Sequence, residues 1–202
     1  MATRMACALG TILLAALLTG CGPTDAEVTE ARAVAEAKAS PVPTRAELRP
    51  CPGGEIYRIE PSGTRTIKAD CFDQAVAEAI AEFPEPLPPG IDWDGIPTPD
   101  FADPRQNPTL ELPSIEDGVQ DTAVAGYWLC AWMDTYVQAL DSNNEQDQTV
   151  SMAHLSKYTQ LPASQAYLVN PEVFDETVIA PAQAGDPAKL REYFKSCSNY
   201  RR

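Results

Sequence analysis

Nine prolines fall between residues 84 and 113. No helix or central strand tolerates that density, because proline lacks the backbone N–H and clashes with the preceding turn. The stretch therefore divides the chain. Large apolar side chains are spread between the prolines, at Leu87, Ile91, Trp93, Ile96, Phe101 and Leu110. Loops this long are uncommon unless functional or disordered. The scattered apolar groups favour an extended strap laid across a domain surface over a free linker.

The first residues read MATRMACALGTILLAALLTGC. One positive charge, Arg4, precedes an apolar run from Met5 to Leu18, and small residues follow at Thr19 and Gly20. This is the layout of a secretory signal peptide. A membrane-spanning helix needs about 20 predominantly apolar residues, and this run is shorter and ends at Gly20, Gly22 and Pro23.

The last four residues, Leu18-Thr19-Gly20-Cys21, resemble the lipobox of bacterial prolipoproteins. That resemblance covers residues 1–21. It implies removal of residues 1–20, a diacylglycerol thioether on Cys21, and acylation of the new amino terminus where that step exists. Two or more acyl chains hold a protein firmly to a bilayer, whereas one binds weakly. The expected location is the extracytoplasmic face of the cell membrane. Gly22 is not the aspartate that retains lipoproteins at the inner membrane of double-membraned bacteria. In general make-up the chain resembles small uncharacterised lipoproteins of Gram-positive bacteria, a resemblance that transfers no activity.

Cys7 leaves with the leader and Cys21 takes the lipid. Cys51, Cys71, Cys130 and Cys197 remain, an even number in an oxidising compartment, which reads as two disulfides. No pair has the short separation that zinc sites favour. Of the three possible connectivities, the expected one is Cys51–Cys71 with Cys130–Cys197. The segment between the first two reads as a hairpin turning at Pro61-Ser62-Gly63, which brings residues 51 and 71 together.

Residues 21–50 hold the lipidated cysteine and an Ala-, Glu- and Pro-rich tether with almost no large apolar side chains, too polar to order itself. As a flexible chain, residues 22–50 reach about 30 Å. Residues 51–202 form one domain's worth of chain. A helix is expected from a cap at Asp70 to Phe83, with Phe72, Val76, Ala79, Ile80 and Phe83 on one stripe. The strongest helix runs from about Gln120 to Leu140 and is apolar nearly all round, so it should be central. A shorter helix is expected over about 148–160, and another after Asp186-Pro187 with Leu190, Phe194 and Cys197 on one face. The expected fold is mainly α with one small β-hairpin, a single disulfide-stapled extracytoplasmic domain crossed by the long Pro-rich surface strap.

The net charge is −14; residues 1–20 hold one base and no acid, so their removal makes it −15. From 81 to 150 there are fourteen acids against one base, Arg105. Such a field repels nucleic acid and anionic headgroups and suits a basic partner or a divalent cation. Asp141, Asn143, Glu145 and Asp147 alternate as calcium-loop ligands do, but Gln146 and Met152 stand where an EF-hand needs glycine and glutamate. There is no GxSxG, SxxK or HExxH pattern. The only histidine, His154, lies near Ser151 and Lys157 and reads as structural. Trp128, Trp132 and Tyr136, at helical spacing, read as core before they read as a ligand platform.

These residues point to a non-enzymatic interaction module of the cell envelope, with no metal or cofactor. It would be held to the bilayer by Cys21 and would dock an envelope or secreted protein. The candidate contacts are Trp93, Phe101, Asp92, Asp94 and Asp100. The alternatives are a small-ligand or divalent-cation-binding lipoprotein and a carboxylate-based cell-wall hydrolase.

Overall fold

The computed structural model describes residues 51, 53–99, 105, 112–198 and 200. The leader, Cys21, the tether, Asp100 and Phe101 lie outside the described residues. The described residues fall within one compact unit. None of their helices is long and apolar enough to cross a membrane.

The expected hairpin pairs β1 (Tyr57–Ile59) with β2 (Arg65–Lys68), antiparallel, with Tyr57 opposite Ile67 and Ile59 opposite Arg65. Gly63 takes φ 85° in the turn, a conformation that favours glycine. The expectation of a lone hairpin is corrected, because a third strand, β3 (Ser114–Glu116), pairs along β2 with Ile115 opposite Ile67. The sheet order is β1-β2-β3. Three residues following Pro113 are too short for a period-2 pattern, and an edge strand just after a proline needs no ladder bond from it. The disulfides are Cys51–Cys71, with Cα atoms 5.0 Å apart, and Cys130–Cys197, at 5.8 Å.

A 3-10 turn (Ala69–Cys71) leads into α1 (Phe72–Glu82). Asp70 lies inside that turn and does not cap the helix. Phe83 closes α1 with extended φ and ψ of −70° and 127°, the conformation that a following proline imposes. Phe72, Val76, Ala79 and Ile80 are buried as their spacing requires.

The helix α2 (Val119–Asp141) is the centre of the molecule. One set of its side chains, Val124 and Tyr127, joins Ile56, Ile67, Phe72, Val76, Ile80 and Ile96 on the sheet side. The other, Trp128, Leu129, Trp132, Met133 and Tyr136, joins Leu155, Tyr158, Ile179 and Leu190. Helix α3 (Glu145–Leu155) starts earlier than expected. Asn144 Oδ1 accepts from the Asp147 amide at 3.2 Å, with Glu145 and Asp147 in the first turn, a favourable N-terminus. Residues 158–160 form a separate 3-10 turn.

Helices α4 (Pro162–Tyr167), α5 (Pro171–Phe174) and α6 (Ala180–Gln183) follow, with a π-helical segment (Asp175–Ile179) joining the last two. Pro181 has no N–H to give to the Thr177 carbonyl, and the ladder widens in the turn before it. Helix α7 (Ala188–Phe194) begins where Asp186 Oδ1 accepts from the Ala188 amide at 3.1 Å. Cys197 sits just beyond this helix, in a turn where its N–H donates to the Phe194 carbonyl.

Candidate functional site

The proline-rich segment holds the expected contacts, and its longest described run, 84–99, is tied to the helices. The Pro86 carbonyl accepts from Trp128 Nε1 at 2.8 Å and Trp132 Nε1 at 3.0 Å. Both indoles are core, with Trp128 0% and Trp132 2% exposed, so their N–H groups need this partner. They form no aromatic platform. Next to Pro86, the Glu85 carboxylate receives Lys157 Nζ at 2.9 and 3.0 Å and lies 3.3 Å from His154 Nδ1.

Further along, Tyr127 Oη donates to the Asp92 carbonyl at 2.9 Å. Asp92 Oδ1 accepts from the Asp94 amide at 3.1 Å, holding residues 93–95 in a 3-10 turn. Asp92, Trp93 and Asp94 are thus brought together. Asp94 is exposed, while Asp92 and Trp93 are half-buried. The Trp93 ring meets Phe83 edge-on at 5.5 Å and Tyr127 at 5.9 Å, so it anchors the segment as well as facing outward.

His154 is stacked on Trp132 and turned toward Glu85. Burial, and then Lys157, holds its imidazole below the usual histidine range, against the pull of Glu85. A serine–histidine–carboxylate reading fails at Ser151: it is wholly buried, and its Oγ has no hydrogen-bond partner among the described residues. The calcium-like run is used structurally. Asp141 pairs with Arg191 at 2.6 Å, and Asn144 caps α3. Among the described residues no group of three or more His, Cys, Asp or Glu is arranged to hold a metal ion.

The spacing of residues in the sequence did not point to a cleft of 330 Å³ between α1, α2 and α4. Ala79, Phe83, Val124, Ala163 and Ala166 give it apolar walls, and Glu82 and Asp121 bring two carboxylates. Tyr167 stands at its rim, 46% exposed, its ring filling the space that a side chain on Gly118 would need. Gly118 has φ 99° and precedes α2, where Gln120 Oε1 accepts from its amide at 2.9 Å. Burial, then the nearby Asp117 and Glu82, pushes the Asp121 carboxyl up, opposed by Arg65. These residues come from three helices far apart in sequence, so no local pattern announced them.

No family model matches the chain. Comparison with curated proteins and with solved structures likewise gives no match, so the functional reading rests on the residues themselves.

Proposed function

We propose that the protein is an exported, lipid-anchored interaction module of the cell envelope. In this reading Cys21 is the anchor, and the proline-rich strap docks a basic envelope or secreted protein. The observation that carries it is the pinning of 84–96 to α2. The shared Pro86 carbonyl and the Asp92 carbonyl fix the backbone on either side of Leu87 and Ile91. A segment held this way presents Asp92 and Asp94 without the ordering cost that a free loop incurs on binding. The acid excess around it adds electrostatic steering toward a basic partner.

The test is cross-linking of the full-length lipidated protein in intact envelopes, followed by gentle solubilisation and mass spectrometry. Asp94→Lys is the informative variant, because Asp94 is exposed and its side chain makes no hydrogen bond or ion pair among the described residues. The reading expects one stoichiometric partner with a basic surface, lost on charge reversal while the melting temperature stays put. Recovery of the protein alone, or a partner kept by Asp94→Lys, would sink it. A Cys21→Ser variant should leave the membrane fraction, and retention there would overturn the anchor.

A further inference from the structure

We propose that the cleft between α1, α2 and α4 is a docking site for one lysine or arginine side chain of a partner polypeptide. The aliphatic stem lies along Ala79, Phe83, Val124 and Ala163, and Glu82 and Asp121 receive the cation. This site borders the strap at Pro84 but uses neither Asp92 nor Asp94, and it does not depend on the reading above.

Three observations select this occupant. The first is size: 330 Å³ is at the small end of the range of about 300–1,000 Å³ for ligand pockets, enough for one side chain and too little for a large cofactor. The second is charge. Glu82 and Asp121 face the cleft, and among the described residues neither is paired with a base. Arg65, which offsets Asp121 from a distance, pairs instead with Asp117 at 3.4 Å and lies 3.7 Å over the Tyr57 ring. Burial first, and then the like charges of Asp117 and Glu82, disfavour the ionised Asp121 carboxyl, and a cation in the cleft offsets that penalty.

The third is the walls. A bare calcium ion takes about 6–8 oxygen ligands, whereas this lining sets two carboxylates and a phenol among alanines, prolines and Phe83. Long basic side chains bury their methylenes on apolar surface while the charge meets a polar group. At the mouth, the 46% exposed Tyr167 gives the flanking peptide an apolar ring to lie on.

The experiment is isothermal titration of the full chain, in detergent micelles, with three probes. These are an acetylated and amidated Ala-Ala-Lys-Ala-Ala peptide, its norleucine counterpart, and calcium chloride. The lysine peptide should bind about fivefold or more tightly than the norleucine peptide. Glu82→Gln and Asp121→Asn should each weaken it about two- to fivefold, the scale of a partly exposed ion pair. Ala166→Trp, which fills the cleft and leaves both carboxylates, should abolish binding. Should that variant fail to fold, Ala166→Met makes the same test. Equal affinity for the two peptides, no binding at millimolar concentration, displacement of the lysine peptide by equimolar calcium, or normal binding by the filled variant would each overturn the proposal.

Discussion

The imidazole of His154 lies face to face on the indole of Trp132, with ring centroids 4.0 Å apart and planes 13° from parallel. Trp132 in turn donates to the Pro86 carbonyl, and His154 approaches Glu85. One stack therefore touches the central helix, α3 and the proline-rich segment together.

This arrangement makes stability depend on pH. The folded pKa of His154 is lowered, by burial first and then by Lys157, with Glu85 opposing. Between that value and the unfolded one, about 6.5, the unfolded chain binds more protons, so stability rises with pH. The contribution is complete above about pH 6.5 and is lost as pH falls from there through the folded pKa. Chemical melts between pH 7.5 and 5 should show this loss, and His154→Phe, which keeps a ring on Trp132, should flatten it. An unchanged slope in the variant would mean that other groups carry the effect.

The Pro86 carbonyl with its two indole donors calls for a double-mutant cycle. Trp128→Phe or Trp132→Phe removes one donor and leaves the oxygen served by the other. Each should cost about 1 kcal/mol for the bond, besides any loss of packing. The double variant leaves a carbonyl with neither donor, so its cost should exceed the sum of the single costs by about 1 kcal/mol. Strict additivity in urea melts would show that water replaces the donors freely.

Gly118 and Tyr167 test the wall of the cleft. Gly118→Ala places a methyl group where the Tyr167 ring sits and puts a side chain on a residue at φ 99°. The backbone strain alone costs about 1–3 kcal/mol. Adding Tyr167→Ala should recover the collision and not the strain, so the double variant should be more stable than Gly118→Ala yet less stable than Tyr167→Ala. If Tyr167→Ala rescues nothing, the ring does not rest on Gly118 in solution.

The two disulfides should differ in worth. Cys51–Cys71 spans 20 residues of sequence and Cys130–Cys197 spans 67. Chain entropy assigns about 3 and about 4 kcal/mol. The Cys130→Ser, Cys197→Ser pair should therefore lower stability more than the Cys51→Ser, Cys71→Ser pair in denaturant melts. The reverse order would point to order retained in the unfolded chain near α7.

What could be read ahead of the structure were signals carried by neighbours in the chain. The apolar run at 119–141, the hairpin about Gly63 and the Asp186-Pro187 start each involve residues a few positions apart. The cysteine pairing followed from the hairpin because one turn set the distance. Strand β3 was hidden because Ile115 becomes a strand residue only by meeting Ile67. The helical run at 171–183 was hidden because Pro171 and Pro181 signal breaks, and a π segment absorbs the second. Trp93 reads from the sequence as a partner contact, and its packing is not legible there because Phe83 and Tyr127 come to it from other elements. The cleft needed three helices to be placed before Glu82, Asp121 and Tyr167 could be neighbours.

Asp121 is in the first turn of α2, where a carboxylate normally helps a helix by facing the positive end of its dipole. Here burial and the like charges of Asp117 and Glu82 act against the ionised form. A carboxyl with a raised folded pKa binds protons more readily in the fold than in the unfolded chain. Its effect on stability is therefore unfavourable at neutral pH and is relieved as pH falls through the folded pKa. Asp121→Asn keeps the size and removes the charge, so at pH 7 and low salt it should melt at the same temperature as the parent or above it. Any gain should shrink in high salt, which screens Asp117 and Glu82, and should fade as pH falls through the folded pKa, where the parent's carboxyl becomes neutral. A variant that melts lower at every pH would mean that the helix dipole outweighs the crowding. The cleft would then lack the excess of negative charge that a basic side chain is proposed to neutralise.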